Sequence, residues 1–172
     1  MATIWRTAQN NGHLVHQEVE KRIGSFSLEA AADMLNVDVI YTAEVPDNAS
    51  GMIVKRAEED RARAYINTRE SRQRQRFTLA HELGHYVERM IDARDREFAV
   101  SEARTTQYDL TEFYADQFAG ALLMPEDKIR AVTPNLDDAL AVSLAFDVSI
   151  PAAQKRLVRL QKQSTFEASS EA

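Results

Sequence analysis

The chain has 172 residues, 44% of them apolar and 28% charged, a composition that supports a globular protein with its own hydrophobic core. The formal net charge of −6 argues against bulk attraction to nucleic acid, and the absence of cysteine excludes disulfides and thiolate metal sites. Any metal site has to use histidine and carboxylate, which suits an ion with an open coordination position better than a closed structural site.

The N-terminus, MATIWRTAQN, lacks the apolar core of a signal peptide, and no later run reaches membrane-spanning length. A cytoplasmic protein without membrane contact is expected. Val15, Val19 and Ile23 recur at helical spacing, predicting a helix over 13–23 that stops at Gly24. His13 and His16 lie three apart on what reads as an exposed N-terminal helix. Ser27 is placed to cap a second helix, buried along Leu28, Ala31 and Leu35. After Asn36 the pattern changes. VDVIYT, MIVK and ARAYIN read as three short strands, separated by the turn cluster PDNASG and the charged connection RAEEDR. ARAYIN, residues 62–67, suits either an edge strand that pairs with an extended substrate or plain sheet structure.

One long helix is expected from Arg69 to Ile91, with Leu79, Leu83, Val87 and Met90 as its apolar stripe. Arg69, Arg72, Arg74 and Arg76, where it begins, read as a solvated charged turn in an acidic chain. The polar stretch from Asp92 to Tyr108 is expected to be irregular. Asp109 then opens a helix, with Glu112 at the capping-box position, and that helix stops at Pro125. Two helices follow, over 136–146 and 151–161, the second capped by Ser149 with Pro151 in its first turn. The expected organisation is α+β: one domain over 1–162, including a C-terminal helical pair at 135–162, and a flexible tail over 163–172.

Within the long helix stands HELGH. His81 and His85 are four apart, so they share a helix face and can converge on one ion. Glu82 points about a hundred degrees away from His81, beside the ion and not onto it. That is the place for a general base acting on a water that a metal has acidified. Gly84 leaves the face beside the ligands uncrowded. A chain of this length matches H-E-x-x-H by chance roughly once in two hundred times, so an ordinary exposed histidine pair is the competing reading. A third ligand has to decide. His13 and His16 are the only other histidines, and the second metzincin half is missing, because Glu88 and Ile91 stand where glycine and histidine are needed.

An acidic third ligand is left, as in zinc sites of two histidines and a glutamate. Glu112 and Asp116 lie one turn apart on a helix that also buries Ala115, Phe118 and Leu122. Two such carboxylates repel unless a cation or an imidazole sits nearby. Zinc on Glu112, with Asp116 accepting an N–H from a ligand histidine, relieves that repulsion. A solvated helix edge near an N-terminus is the plainer alternative. Tyr86, Tyr108 and Tyr114 are each placed where a phenol can steady an oxyanion, with core or rim packing the simpler reading.

RQRFTLAHELGHY, followed by EFYADQFAGALLMP, resembles the ImmA/IrrE family of zinc metallopeptidases, and the likeness extends over roughly 26–160 with SGMIV and AYIN. The resemblance implies zinc ligands His81, His85 and Glu112, with Glu82 as catalytic base, and Asp116 matches a position the family fills with Asn or Asp. It implies a zincin-like α+β fold, a small antiparallel or mixed sheet packed on the active-site helix. It also implies a bacterial or phage protein that cleaves a helix-turn-helix repressor and so releases its target genes. This chain departs from the longer members in showing no extra sensor domain. A rival reading comes from LAFDVSIPAAQKRLVRL, which resembles a helix-turn-helix whose second helix carries Lys155, Arg156, Arg159 and Lys162. On that reading the protein binds DNA. A third keeps the metal without catalysis and sequesters a repressor.

Overall fold

The β-branched runs form strands, and a fourth strand joins them. A computed structural model describes residues 2–46, 49–92, 94–103 and 110–170. In order these form α1 (Ala2–Ile23), α2 (Leu28–Met34), β1 (Val37–Thr42), β2 (Ala49–Lys55), β3 (Ala62–Asn67), α3 (Arg72–Val87), β4 (Phe98–Ala103), α4 (Leu110–Leu123), α5 (Glu126–Val132), α6 (Ala139–Phe146) and α7 (Ile150–Ser170). The fold is α+β. Residues up to Leu123 make one compact unit, and those from Met124 a second. Among the described residues no helix is long and apolar enough to cross a membrane.

In the first unit the strand order is β1-β3-β2-β4. β1 runs parallel to β3, while β2 is antiparallel to both β3 and β4, so the sheet is mixed. β3 therefore lies inside the sheet with a strand on each side. This corrects one option for residues 62–67: they are not an edge that a substrate can join. β4 falls within the stretch expected to be irregular. An edge strand packs against one neighbour, so it needs less β-branched patterning, and FAVSEA supplies only Phe98 and Val100 as bulky apolar residues.

One face of the sheet is closed by α3. Ala62, Ala64 and Ile66 of β3 and Ile53 of β2 are fully buried, as are Leu79 and Leu83 of α3. Ser71 caps α3, its hydroxyl accepting from Arg74 N at 3.3 Å. At its far end the helix widens into a π-helical turn over Glu88–Asp92. Arg74 folds back on the sheet and donates to Ser50 Oγ at 3.1 Å. Asp109, expected to open α4, lies outside the described residues.

The N-terminal helix starts earlier than its pattern suggested, at Ala2, and one of its two histidines is buried. His16 is 3% accessible, its Nδ1 2.7 Å from Leu122 O of α4, and its ring stacks on Phe26 at 4.1 Å. Asn11 donates to Tyr114 Oη at 2.8 Å, and Gln9 donates to Gln117 Oε1 at the same distance. Polar side chains thus lock α1 onto α4, which is why apolar periodicity alone understated its burial.

α3 and α4 approach closely through Gly84. A Cβ there would stand 2.8 Å from Ala115 Cα and 3.1 Å from Ala115 O, contacts that neither backbone can relieve by rotating a side chain. The open face that Gly84 was expected to leave is the contact face of α4.

The second unit holds three helices around Ile129, Leu136, Val142, Val148, Ala153, Leu157 and Leu160. α5 had no counterpart in the sequence reading, since seven residues carry little periodicity. Asp138 caps α6 by accepting from Ala141 N at 2.8 Å, and Ser149 caps α7 by accepting from Ala152 N at 3.3 Å. α7 continues to Ser170, beyond the expected stop at 161.

Replacing Gly84 with Ala gains about 1 kcal/mol of helix propensity but overpacks the α3–α4 contact, which typically costs 1–3 kcal/mol. We expect Gly84→Ala to lower the thermal unfolding midpoint. A raised midpoint would show that the helices can separate at no cost.

Candidate metal centre

Once α3 and α4 are in contact, the functional side chains are brought together by helix geometry. His81 and His85 lie one turn apart and project towards α4, with their Nε2 atoms 3.1 Å from each other. Glu112, in the first turn of α4, completes the group: Oε2 is 3.2 Å from His81 Nε2, and Oε1 is 3.3 Å from His85 Nε2. One ligand atom from each of the three residues lies within 4.8 Å of the others. Both histidines are buried and Glu112 is partly open, its side chain 27% accessible.

These separations fit a metal ion. Ligands held at zinc's usual bond lengths on a tetrahedron stand about 3.3 Å apart, close to the 3.1 Å between the two Nε2 atoms and to the distance at which each histidine meets one Glu112 oxygen. The chemistry of the donors agrees. Two imidazole nitrogens and a carboxylate converge their lone pairs on a small space, an arrangement that a shared cation stabilises. Hydrogen bonds from His81 and then His85 hold the Glu112 carboxyl well below the usual carboxylate range, against the upward push of partial burial. Glu112 is therefore anionic at neutral pH, as a ligand must be.

Asp116, one turn beyond Glu112 and 6% accessible, places Oδ1 3.4 Å from His81 Nδ1, on the far side of that ring from the triangle. Glu82 is fully buried and is not among the three grouped ligands, its Oε1 towards β2 near Gly51. The tyrosines divide. Tyr114 uses its hydroxyl to accept from Asn11, and Tyr86 is buried with its ring 6.3 Å from Phe98 of β4. Tyr108 lies outside the described residues. Of the basic residues assigned to the last helix, Arg156 is 4% accessible and donates from Nε to Met124 O at 3.2 Å. Burial pushes its guanidinium down to about 10. It belongs to the core of the second unit and not to a basic surface.

Motif reading missed the part played by α1. It carries no ligand, yet it holds the helix that supplies Glu112 and Asp116. The available signal was His16 beside the apolar positions Val15 and Val19, which marks a histidine near the buried stripe.

A small mixed sheet over an HExxH helix, with a carboxylate presented from the next helix, defines a metallopeptidase. A family model described as the IrrE N-terminal-like domain, Peptidase_M78, matches residues 32–158, and the chain belongs to that family. No curated protein matches it significantly. The family implies a protein substrate, and α1 lies outside the matched span.

The depressed Glu112 value has a consequence in metal-free protein. A carboxyl lowered on folding adds stability that is fully present above its ordinary value of 4.5 and is lost as pH falls towards the folded-state value. The denaturant midpoint, followed from neutrality to about pH 3, should therefore fall more steeply in wild type than in Glu112→Gln. Parallel curves would contradict this.

Proposed function

We propose that the protein is a zinc-dependent endopeptidase acting on a protein partner, and that the partner is a helix-turn-helix transcriptional repressor. The observation that carries the peptidase reading is the His81–His85–Glu112 triangle, with sides of 3.1 to 3.3 Å and a buried glutamate next in sequence to His81. The repressor is suggested by the resemblance of both motif helices to the ImmA/IrrE family, and such a substrate puts the site of action in the cytoplasm.

His81, His85 and Glu112 would hold the ion, which supplies Lewis-acid polarisation of the scissile carbonyl and acidity to a nearby water. Glu82 serves as the base that takes the water's proton and later delivers it to the departing amine. Asp116, its Oδ1 3.4 Å from His81 Nδ1, is the carboxylate that would accept that N–H, fix the tautomer and leave Nε2 for the ion. An extended substrate segment has a place to pair at β4, which has β2 on one side and no further strand on the other among the described residues. The DNA-binding alternative is weakened by the burial of Arg156, which removes one of the four cations it relies on.

We expect Glu82→Gln to retain metal while cleavage of candidate repressors falls by about 10²–10⁴-fold, and His85→Ala to lose both. Metal analysis and gel-based cleavage read the two effects. Undiminished cleavage by Glu82→Gln would sink the mechanism. Tight repressor binding without cleavage by the metal-loaded wild type would favour sequestration.

A further inference from the structure

β2 does not run regularly past the active-site helix. Ala49 pairs with Ala103 and Met52 with Ser101, so three steps on β2 match two on β4, and the strand bulges at Ser50 and Gly51. Gly51 is buried, and among the described glycines only Gly24 has the left-handed backbone that favours this residue. Space is what requires glycine at 51. A Cβ there would stand 2.5 Å from Thr78 Cγ2, 3.1 Å from Tyr65 O and 3.2 Å from Glu82 Oε1. Thr78 and Glu82 are both fully buried and one turn apart, so they share the face of α3 that meets β2. His81 and His85 face α4 instead.

We infer that Gly51 is a positioning residue for Glu82: the bulged step of β2, bare of a side chain, is the seat in which that carboxylate stands. The inference rests on the reading of Glu82 as the base and deepens it. A base has to stand within hydrogen-bond reach of the proton it takes, and misplacement by about 1 Å can cost a hundredfold in rate. A rigid sheet supplies that precision better than a loop does. Glu82 has the helix beneath it and the β2 backbone over it, and bulges recur next to active sites.

The test is a mutant cycle on the full chain, read by thermal unfolding with metal content measured alongside. Gly51→Ala is placed in a Thr78→Ser background, which removes the methyl at 2.5 Å and leaves the Glu82 carboxylate as the side chain the new Cβ meets. The expected result is a midpoint below that of Thr78→Ser alone, with part of the loss recovered on adding Glu82→Asp, whose shorter carboxylate retreats from the strand, and the rest owed to Tyr65 O at 3.1 Å. Metal content should stay that of the parent, since none of the three candidate ligands is among the nearest contacts of the new Cβ. A glycine needed only for strand packing would not distinguish glutamate from aspartate at 82. Equal losses in both backgrounds, or no loss, would overturn the inference. If the Gly51→Ala, Thr78→Ser protein does not fold, recovery of folded protein by Glu82→Asp supports the seat, and continued failure overturns it. Glu82→Gln that still cleaves would remove the base reading and leave this cycle unchanged, so the two failures are told apart.

Discussion

Two imidazole nitrogens and a carboxylate are held within 3.3 Å of one another between two helices, and this convergence makes demands on the rest of the first unit. Hydrogen bonds from the two histidines draw Glu112 in, and the backbone brings the two helices close enough for them to form. The contact of Gly84 with Ala115 sets the spacing of α3 and α4, and α1 holds α4 from its other side through Asn11, Gln9 and His16. The packing thus brings the three donors to one place, where a cation would find a ready set of ligands.

The same helix divides its work between two faces. His81 and His85 serve the face towards α4, while Thr78 and Glu82, about a hundred degrees round, serve the face towards β2. The candidate metal ligands, between two helices, and Glu82, beneath a strand, are thus held by different neighbours.

Much of this was readable in advance. The spacing of His81 and His85, the offset of Glu82, and the pair of carboxylates at 112 and 116 follow from helical periodicity, and the structure brings all but Glu82 into one cluster. Strands β1 to β3 followed from β-branched runs. What escaped was set by tertiary context. β4 is an edge strand with little patterning of its own, α5 is too short for a period to show, and the interior place of β3 depends on strand order, which local sequence does not carry. His16 was taken for a surface residue because its partner, the Leu122 carbonyl, lies 106 positions away. Arg156 looked like one more basic residue until the Met124 carbonyl and the second core enclosed it. Gly51 lies in no catalytic motif. Its importance comes from what stands opposite.

The central claim is that His81, His85 and Glu112 together bind one metal ion. Metal content of the purified, zinc-supplied protein, measured by mass spectrometry for wild type beside Glu112→Ala, tests it most directly. The account predicts about one zinc per chain in wild type and a sharp fall in the variant, as expected for a site with three protein ligands. Wild type that takes up no metal, or a variant that keeps it in full, would contradict the account.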